Sequence, residues 1–182
     1  METSIIIAGF GGQGVLFAGQ LLAYAGMDAG QHVTWIPSYG PEMRGGTASC
    51  TVIISDERIG APLVAQPDVA IVLNKPSYDK YESLVKTGGL LIVNSSIVSQ
   101  ESERTDIETI YIAANAIAEE FGTVKMLNAA VLGALLARRP VLKLEEVEQS
   151  LVDHLPARKA HMIDANRSVL QRGYEVGLPI AT

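Results

Sequence analysis

The sequence predicts an α/β fold of three layers, α/β/α, with a mostly parallel sheet and a helical C-terminal third. Three observations carry that prediction. The run Ser4-Ile5-Ile6-Ile7-Ala8 is short, β-branched and ended by glycine, which marks a strand buried on both faces. Further apolar strands then alternate with helical patterns as far as Ile112, and after Ala113 only helical periodicity remains. At 182 residues, 48% apolar and 19% charged, the chain is expected to fold as one domain over 1–182.

The elements follow in order. Over 15–29 the apolar residues Val15, Leu16, Leu21, Leu22 and Ala25 recur near helical spacing, and Gly30 supplies a stop. Residues 32–36 form a second strand, closing a Rossmann-like βαβ unit of about thirty residues. Residues 37–46 are a loop. Over 47–55 the pattern alternates, with Ala48, Cys50, Val52 and Ile54 on one face and Ser49, Thr51 and Ser55 on the other. Strands are expected at 69–73, 90–93 and 109–112, with a helix at 77–86 and the Gly88-Gly89 pair turning the chain back. Helices follow at 114–121 and 125–137, the latter ended by Pro140, and then at 144–155 and 158–176.

Composition narrows the function. The formal charge of −6, with no stretch dominated by Lys or Arg, argues against binding nucleic acid. The single Cys50 allows no internal disulfide and cannot supply the thiolates of an iron–sulfur cluster. His32, His154 and His161 are scattered without metal-ligand spacing, so no metal site is expected. No basic segment followed by a long apolar run opens the chain, which predicts a cytoplasmic protein without a membrane span.

Gly9-Phe10-Gly11-Gly12-Gln13-Gly14 satisfies G-x-G-x-x-G between a strand and a helix. Glycines permit positive φ and close approach, and the free N–H groups of a first helical turn favour phosphate or pyrophosphate. Tight strand–helix packing would equally explain the glycines. A nicotinamide enzyme also places an acid at the end of its second strand, about twenty residues on. Asp28 falls before that place and Glu42 well after it, which counts against an ordinary dehydrogenase.

The loop Ser38-Tyr39-Gly40-Pro41-Glu42-Met43-Arg44-Gly45-Gly46 gathers a hydroxyl, a phenol, a carboxylate and a guanidinium at the carboxyl end of a strand, where open α/β sheets bind ligands. Arg44 can clamp a carboxylate or phosphate and Glu42 can orient it or take a proton; an internal Glu42–Arg44 pair is the structural alternative. Asn94 and Asn128 stand at a strand end and a helix start, as caps or as ligand contacts. Cys50 reads as a small buried hydrophobe. Trp35 and Tyr39 are packing residues or a platform for a base or partner. The charges between Arg158 and Glu175 read as a solvated helix face or a subunit contact.

The glycine turn followed by Pro37-Ser38-Tyr39-Gly40-Pro41-Glu42-Met43-Arg44-Gly45-Gly46 closely resembles the gamma-subunit family of 2-oxoacid:ferredoxin (acceptor) oxidoreductases. Pro67-Asp68-Val69, Gly88-Gly89, Met126-Leu127-Asn128 and Gly133-Ala134-Leu135 extend the likeness over most of the chain. Met43, with Thr47-Ala48-Ser49-Cys50, looks closer to the 2-oxoglutarate and branched-chain members than to the pyruvate ones.

That resemblance implies a complex with alpha and beta subunits, and in some members a ferredoxin-like delta subunit. There thiamine diphosphate and iron–sulfur clusters decarboxylate and oxidise a 2-oxoacid, coenzyme A takes the acyl group, and ferredoxin takes the electrons. The present chain has no Gly-Asp-Gly thiamine signature and a single cysteine. It is therefore expected to hold none of these cofactors alone, to carry no catalytic residue, to be inactive in isolation, and to contribute assembly and a coenzyme A surface. By the resemblance, Gly9, Gly11, Gly12, Gln13, Gly14, Ser38, Tyr39, Glu42, Arg44 and Asn128 form the binding set. The small subunit of indolepyruvate oxidoreductase and a stand-alone dinucleotide-binding oxidoreductase are the alternatives.

Overall fold

The computed structural model describes residues 1–39 and 47–179. Six strands, β1 (Glu2–Phe10), β2 (His32–Tyr39), β3 (Thr47–Ser55), β4 (Val69–Val72), β5 (Leu90–Asn94) and β6 (Glu108–Ile112), form one sheet in the order β2-β3-β1-β4-β5-β6. The helices are α1 (Val15–Asp28), α2 (Lys75–Tyr81), α3 (Ala114–Glu120), α4 (Leu127–Arg138), α5 (Leu144–His154) and α6 (Ile163–Gly177).

β1, β4, β5 and β6 run parallel, whereas β3 is antiparallel to both β1 and β2. The β-α-β expectation is corrected in one respect: β2 runs with β1 but does not touch it, because β3 lies between them. Burial explains the choice. Val52, Ile53 and Ile54 of β3 are all buried, as a central strand requires, whereas β2 leaves Ile36 exposed and contains Pro37, which has no N–H to donate to a neighbour. Burial of Ile53 and Ser55 also confines the polar face of β3 to its first half.

Helix boundaries follow local chemistry. α2 begins two residues early because Asn74 accepts a hydrogen bond from the Ser77 amide at 2.9 Å and Pro76 stands in the first turn. It becomes a tight 3-10 turn at Glu82–Leu84. The expected helix at 125–137 starts as another such turn, Val124–Met126, capped by Thr123, and the expected 158–176 helix opens with the turn Ala157–Met162.

The two faces of the sheet are covered unequally. On one, α1 and α3 to α6 bury Ile5, Ile7, Leu22, Val52, Ile71, Ile92, Leu132 and Leu135. On the other, α2 packs Tyr78 and Tyr81 over Ile6, Ala8, Ala70, Val72, Leu91 and Val93. α5 docks on α1 through the stacked rings of Tyr24 and His154, with centroids 4.2 Å apart, and through a 2.8 Å contact of His154 with Asp28.

The helical third joins the core by backbone-to-backbone packing of α4 on α6. A Cβ on Gly133 would lie 2.0 Å from the Leu170 carbonyl oxygen, and one on Gly173 would lie 2.0 Å from that of Ala130. Neither backbone can yield without moving a whole helix. Gly173→Ala is expected to destabilise the chain by about 3 kcal/mol, at the top of the range for overpacking. Urea unfolding checks it, and a loss below about 1 kcal/mol would mean that α6 shifts freely.

Asp68, just before β4, ties that strand to β1: its carboxylate accepts from the Ser4 amide at 2.8 Å and the Ser4 hydroxyl at 2.6 Å, and it pairs with Lys86. Burial alone would raise its pKa, but the Lys86 and Ser4 hydrogen bonds outweigh that and hold it below the ordinary value. A depressed folded pKa stabilises above the unfolded value of about 3.9, and that contribution disappears as pH falls through the folded one. The stability gap between wild type and Asp68→Asn should therefore narrow between about pH 5 and pH 2; a constant gap would contradict the clamp.

Candidate functional site

All four parallel strands and β2 end at one edge of the sheet, where β1 leads into the glycine turn. Gly12 and Gly14 have φ of 100° and 76°, so the turn needs glycine on backbone grounds. Gln13 holds it in place: its Oε1 accepts from the Phe10 amide at 2.7 Å and its Nε2 donates to the Leu73 carbonyl at 3.1 Å, fastening the turn to the end of β4.

The glycines divide by environment. A Cβ on Gly9 would sit 2.6 Å from Gln13 Oε1, and one on Gly14 would sit 2.6 Å from Asn128 Nδ2, so both are demanded by packing. Gly12 is exposed, and a Cβ there would meet nothing within 4 Å among the described residues. Gly11 is exposed as well. The packing reading thus accounts for Gly9 and Gly14, while Gly11 and Gly12 are exposed just ahead of α1, whose first turn contains no acid.

Asn128, in the first turn of α4, is 3% exposed; its Nδ2 donates to the Gly14 carbonyl at 3.3 Å and its Oδ1 has no partner among the described residues. Asn94 has a structural role, donating to Asn115 at 2.9 Å and accepting from the Ser96 amide at 3.3 Å. Asn74 was missed by sequence reasoning. It is fully buried, caps α2 and leaves Nδ2 without a partner among the described residues; an Asn closing an apolar strand ahead of Lys-Pro is the signal that could have found it.

β3 separates Ser38 and Tyr39 from the turn, yet the register keeps them at the same edge. Tyr39 pairs with Ala48 and Ala48 with Gly9, so these three positions form one row and Tyr39 lies about 10 Å from Gly9. Ser38 is exposed. Gly40, Pro41, Glu42, Met43, Arg44, Gly45 and Gly46 lie outside the described residues.

Cys50 is buried under α1, and burial pushes its thiol up to about 11, so it behaves as a hydrophobe at neutral pH. Trp35 packs on the same core. Arg172, on the charged late segment, pairs on the surface with Glu175 at 3.5 Å and Glu120 at 3.8 Å. Among the described residues no helix is long and apolar enough to cross a membrane.

Fold and turn together define an α/β domain that presents an open, glycine-lined helix N-terminus at the switch point of a mixed sheet. Inserting β3 also moves the end of β2, where a dinucleotide fold keeps its ribose acid, two strands away from the turn. The family model described as pyruvate ferredoxin/flavodoxin oxidoreductase matches residues 4–176, and the chain belongs to that family. It is 40% identical over 172 residues to ketoisovalerate oxidoreductase subunit VorA of Methanothermobacter marburgensis, covering 94% of this chain and 36% of VorA. The chain therefore spans about a third of that relative's length. It is 34% identical to 2-oxoglutarate synthase subunit KorC of Methanocaldococcus jannaschii, with 97% of this chain and 94% of KorC covered. The gamma subunit of a keto/oxoacid ferredoxin oxidoreductase from Geobacter sulfurreducens superposes with a TM-score of 0.85 at 30% identity, covering 97% of each chain.

Gly14→Ala forces a side chain into a left-handed conformation and against Asn128, and is expected to destabilise by about 2 kcal/mol. Chemical denaturation measures it. A neutral effect would show that the α1–α4 contact at Gly14 is loose.

Proposed function

We propose that the chain serves as the gamma-type subunit of a multi-subunit 2-oxoacid:ferredoxin oxidoreductase, working with alpha and beta subunits in the cytoplasm, and that it supplies the surface on which the diphosphate of coenzyme A rests. The open face of Gly12 at the N-terminus of α1 carries this reading. Backbone N–H groups there lack helical partners, an anion can approach Gly12 without meeting a side chain of the described residues, and the helix dipole favours negative charge.

On this reading Gly11 and Gly12 admit the ligand, Gln13 and Asn128 keep the turn rigid, and Gly9 and Gly14 let β1, α1 and α4 close around it. Ser38 and Tyr39, which the loop expectation at 37–46 included, instead end β2 at the same edge, and Glu42 and Arg44 follow them in sequence, where Arg44 would add charge. Thiamine diphosphate and iron–sulfur clusters, held on other subunits, would supply decarboxylation and electron transfer to ferredoxin. A single thiol raised to about 11 by burial does not suit cluster ligation, which supports placing that chemistry elsewhere.

The likeness to KorC supports 2-oxoglutarate as substrate, and the likeness to VorA favours a branched-chain 2-oxoacid as the second reading. Rates of the assembled complex with 2-oxoglutarate, ketoisovalerate and indolepyruvate separate the possibilities; the highest kcat/KM is expected for 2-oxoglutarate.

Gly12→Ala tests the site. In the assembled complex it should raise the KM for coenzyme A about tenfold, an effect of the size expected from losing charge-assisted hydrogen bonds, while the coenzyme-A-independent decarboxylation half-reaction stays within about twofold. Equal loss of both half-reactions would assign the turn to packing instead.

A further inference from the structure

We infer that the connection 56–68 is a docking arm whose apolar tip, centred on Leu63, seats in an apolar pocket of a partner polypeptide, the one corresponding to the rest of the longer relative VorA. This assignment presupposes the proposed function and adds the surface by which the subunit is held.

The connection is far longer than its task requires. β3 ends at Ser55, which pairs with Glu2, and β4 begins at Val69, which pairs with Ile5, so both points lie toward the edge opposite the glycine turn with only β1 between them. Two strand spacings across and three residues along amount to about 14 Å, which an extended chain crosses in about five residues. The link is instead the whole of 56–68, a length at which an irregular loop in a compact domain is uncommon and usually functional. Its ends are fixed: the Glu57 amide donates to the Ser55 hydroxyl at 3.1 Å, the Lys86 amide donates to the Pro67 carbonyl at 3.1 Å, and Asp68 is held by Ser4. The surplus is therefore an excursion between two anchored points.

That excursion is apolar where a solvated loop is polar. Between half-buried Ile59 and Val64, the residues Gly60, Ala61, Pro62 and Leu63 are all exposed. Leu63 is 86% exposed, whereas Met27, the next large apolar side chain after Met1, is 60% exposed. From Arg58 to Gln66 no backbone group is hydrogen-bonded to another among the described residues, which leaves donors and acceptors for a second chain. Pro62 restricts the tip, so less freedom is lost when it is bound.

Chain lengths point to the occupant. The domain fills 36% of VorA, which carries the rest of its polypeptide on the same chain, whereas 94% of KorC is matched by the domain alone. A neighbour that is linked in one relative and unlinked in another has to be held by surface contact, because linkage only raises its effective concentration. An arm at the edge opposite the glycine turn supplies such a contact and leaves that turn free.

The test follows the release of this chain from the assembled complex on dilution, by native mass spectrometry, for wild type and for Leu63→Ala, Leu63→Asp and Leu63→Met. Loss of one buried leucine side chain predicts association about tenfold weaker for Leu63→Ala, about a hundredfold weaker for Leu63→Asp, and within about threefold of wild type for Leu63→Met. The amides of 58–66 should exchange with solvent about tenfold or more slowly in the complex than in the free chain. Because Leu63 is exposed, the melting temperature of the free chain should not move, which separates this effect from misfolding. If the complex forms and Leu63→Asp associates within about threefold of wild type, docking by the arm is refuted and the proposed function stands. A free chain that forms dimers split by Leu63→Asp would make the occupant a second copy and overturn the assignment. If no partner accompanies the chain, both readings fall.

Discussion

The side chain of Gln13 is the fastening on which the rest of the site depends. A glycine turn has little conformational preference of its own, so something outside the backbone must hold its shape. Gln13 does so by taking the Phe10 amide at 2.7 Å and giving to the Leu73 carbonyl at 3.1 Å, which makes the end of β1 and the end of β4 one unit. From that unit α1 leaves in a fixed direction, and Gly14, pressed on Asn128, sets where α4 begins. The packing of Gly133 and Gly173 then places α6 on α4 and completes the thicker layer of the fold. A local polar bracket at the switch point is therefore connected to the whole helical third through close backbone contacts.

Much of the fold could be read from the sequence because its signals are local. Residues 47–55 alternate apolar and polar side chains, and the strand found there has those bounds; the glycine turn and α1 also fall where their residues place them. The order of the strands was not legible. Whether β2 or β3 lies beside β1 depends on which of them can be buried on both sides, and that comparison between separate segments, decided by Val52-Ile53-Ile54 against Ile36-Pro37, has no signature within either one. The start of α2 moved by two residues and the turn ahead of α4 by one, where the caps Asn74 and Thr123 outweighed periodicity.

The site was legible as a motif but not as a division of labour. Four glycines look alike in sequence, yet Gly9 and Gly14 are required by neighbours and Gly12 by its φ and its open face, a distinction that only the packing reveals. Asn128 was visible at a helix start, whereas its partner, the Gly14 carbonyl, lies 114 residues away in sequence. Asn74 went unnoticed because its burial comes from the meeting of β4 with β1 and α2. Cys50 turned out as its pattern suggests, buried, with burial pushing its thiol up to about 11. A glycine turn held by Gln13 and one buried thiol are consistent with the proposed role as one part of a larger redox enzyme.

That role is tested most directly by purifying the protein under gentle lysis from the cell that makes it and identifying what accompanies it. The account predicts a stable assembly in which other polypeptide segments contain thiamine diphosphate and iron–sulfur clusters, and which reduces ferredoxin only when a 2-oxoacid and coenzyme A are both supplied. Recovery of the chain alone, monomeric and able to oxidise a substrate with NAD by itself, would contradict it.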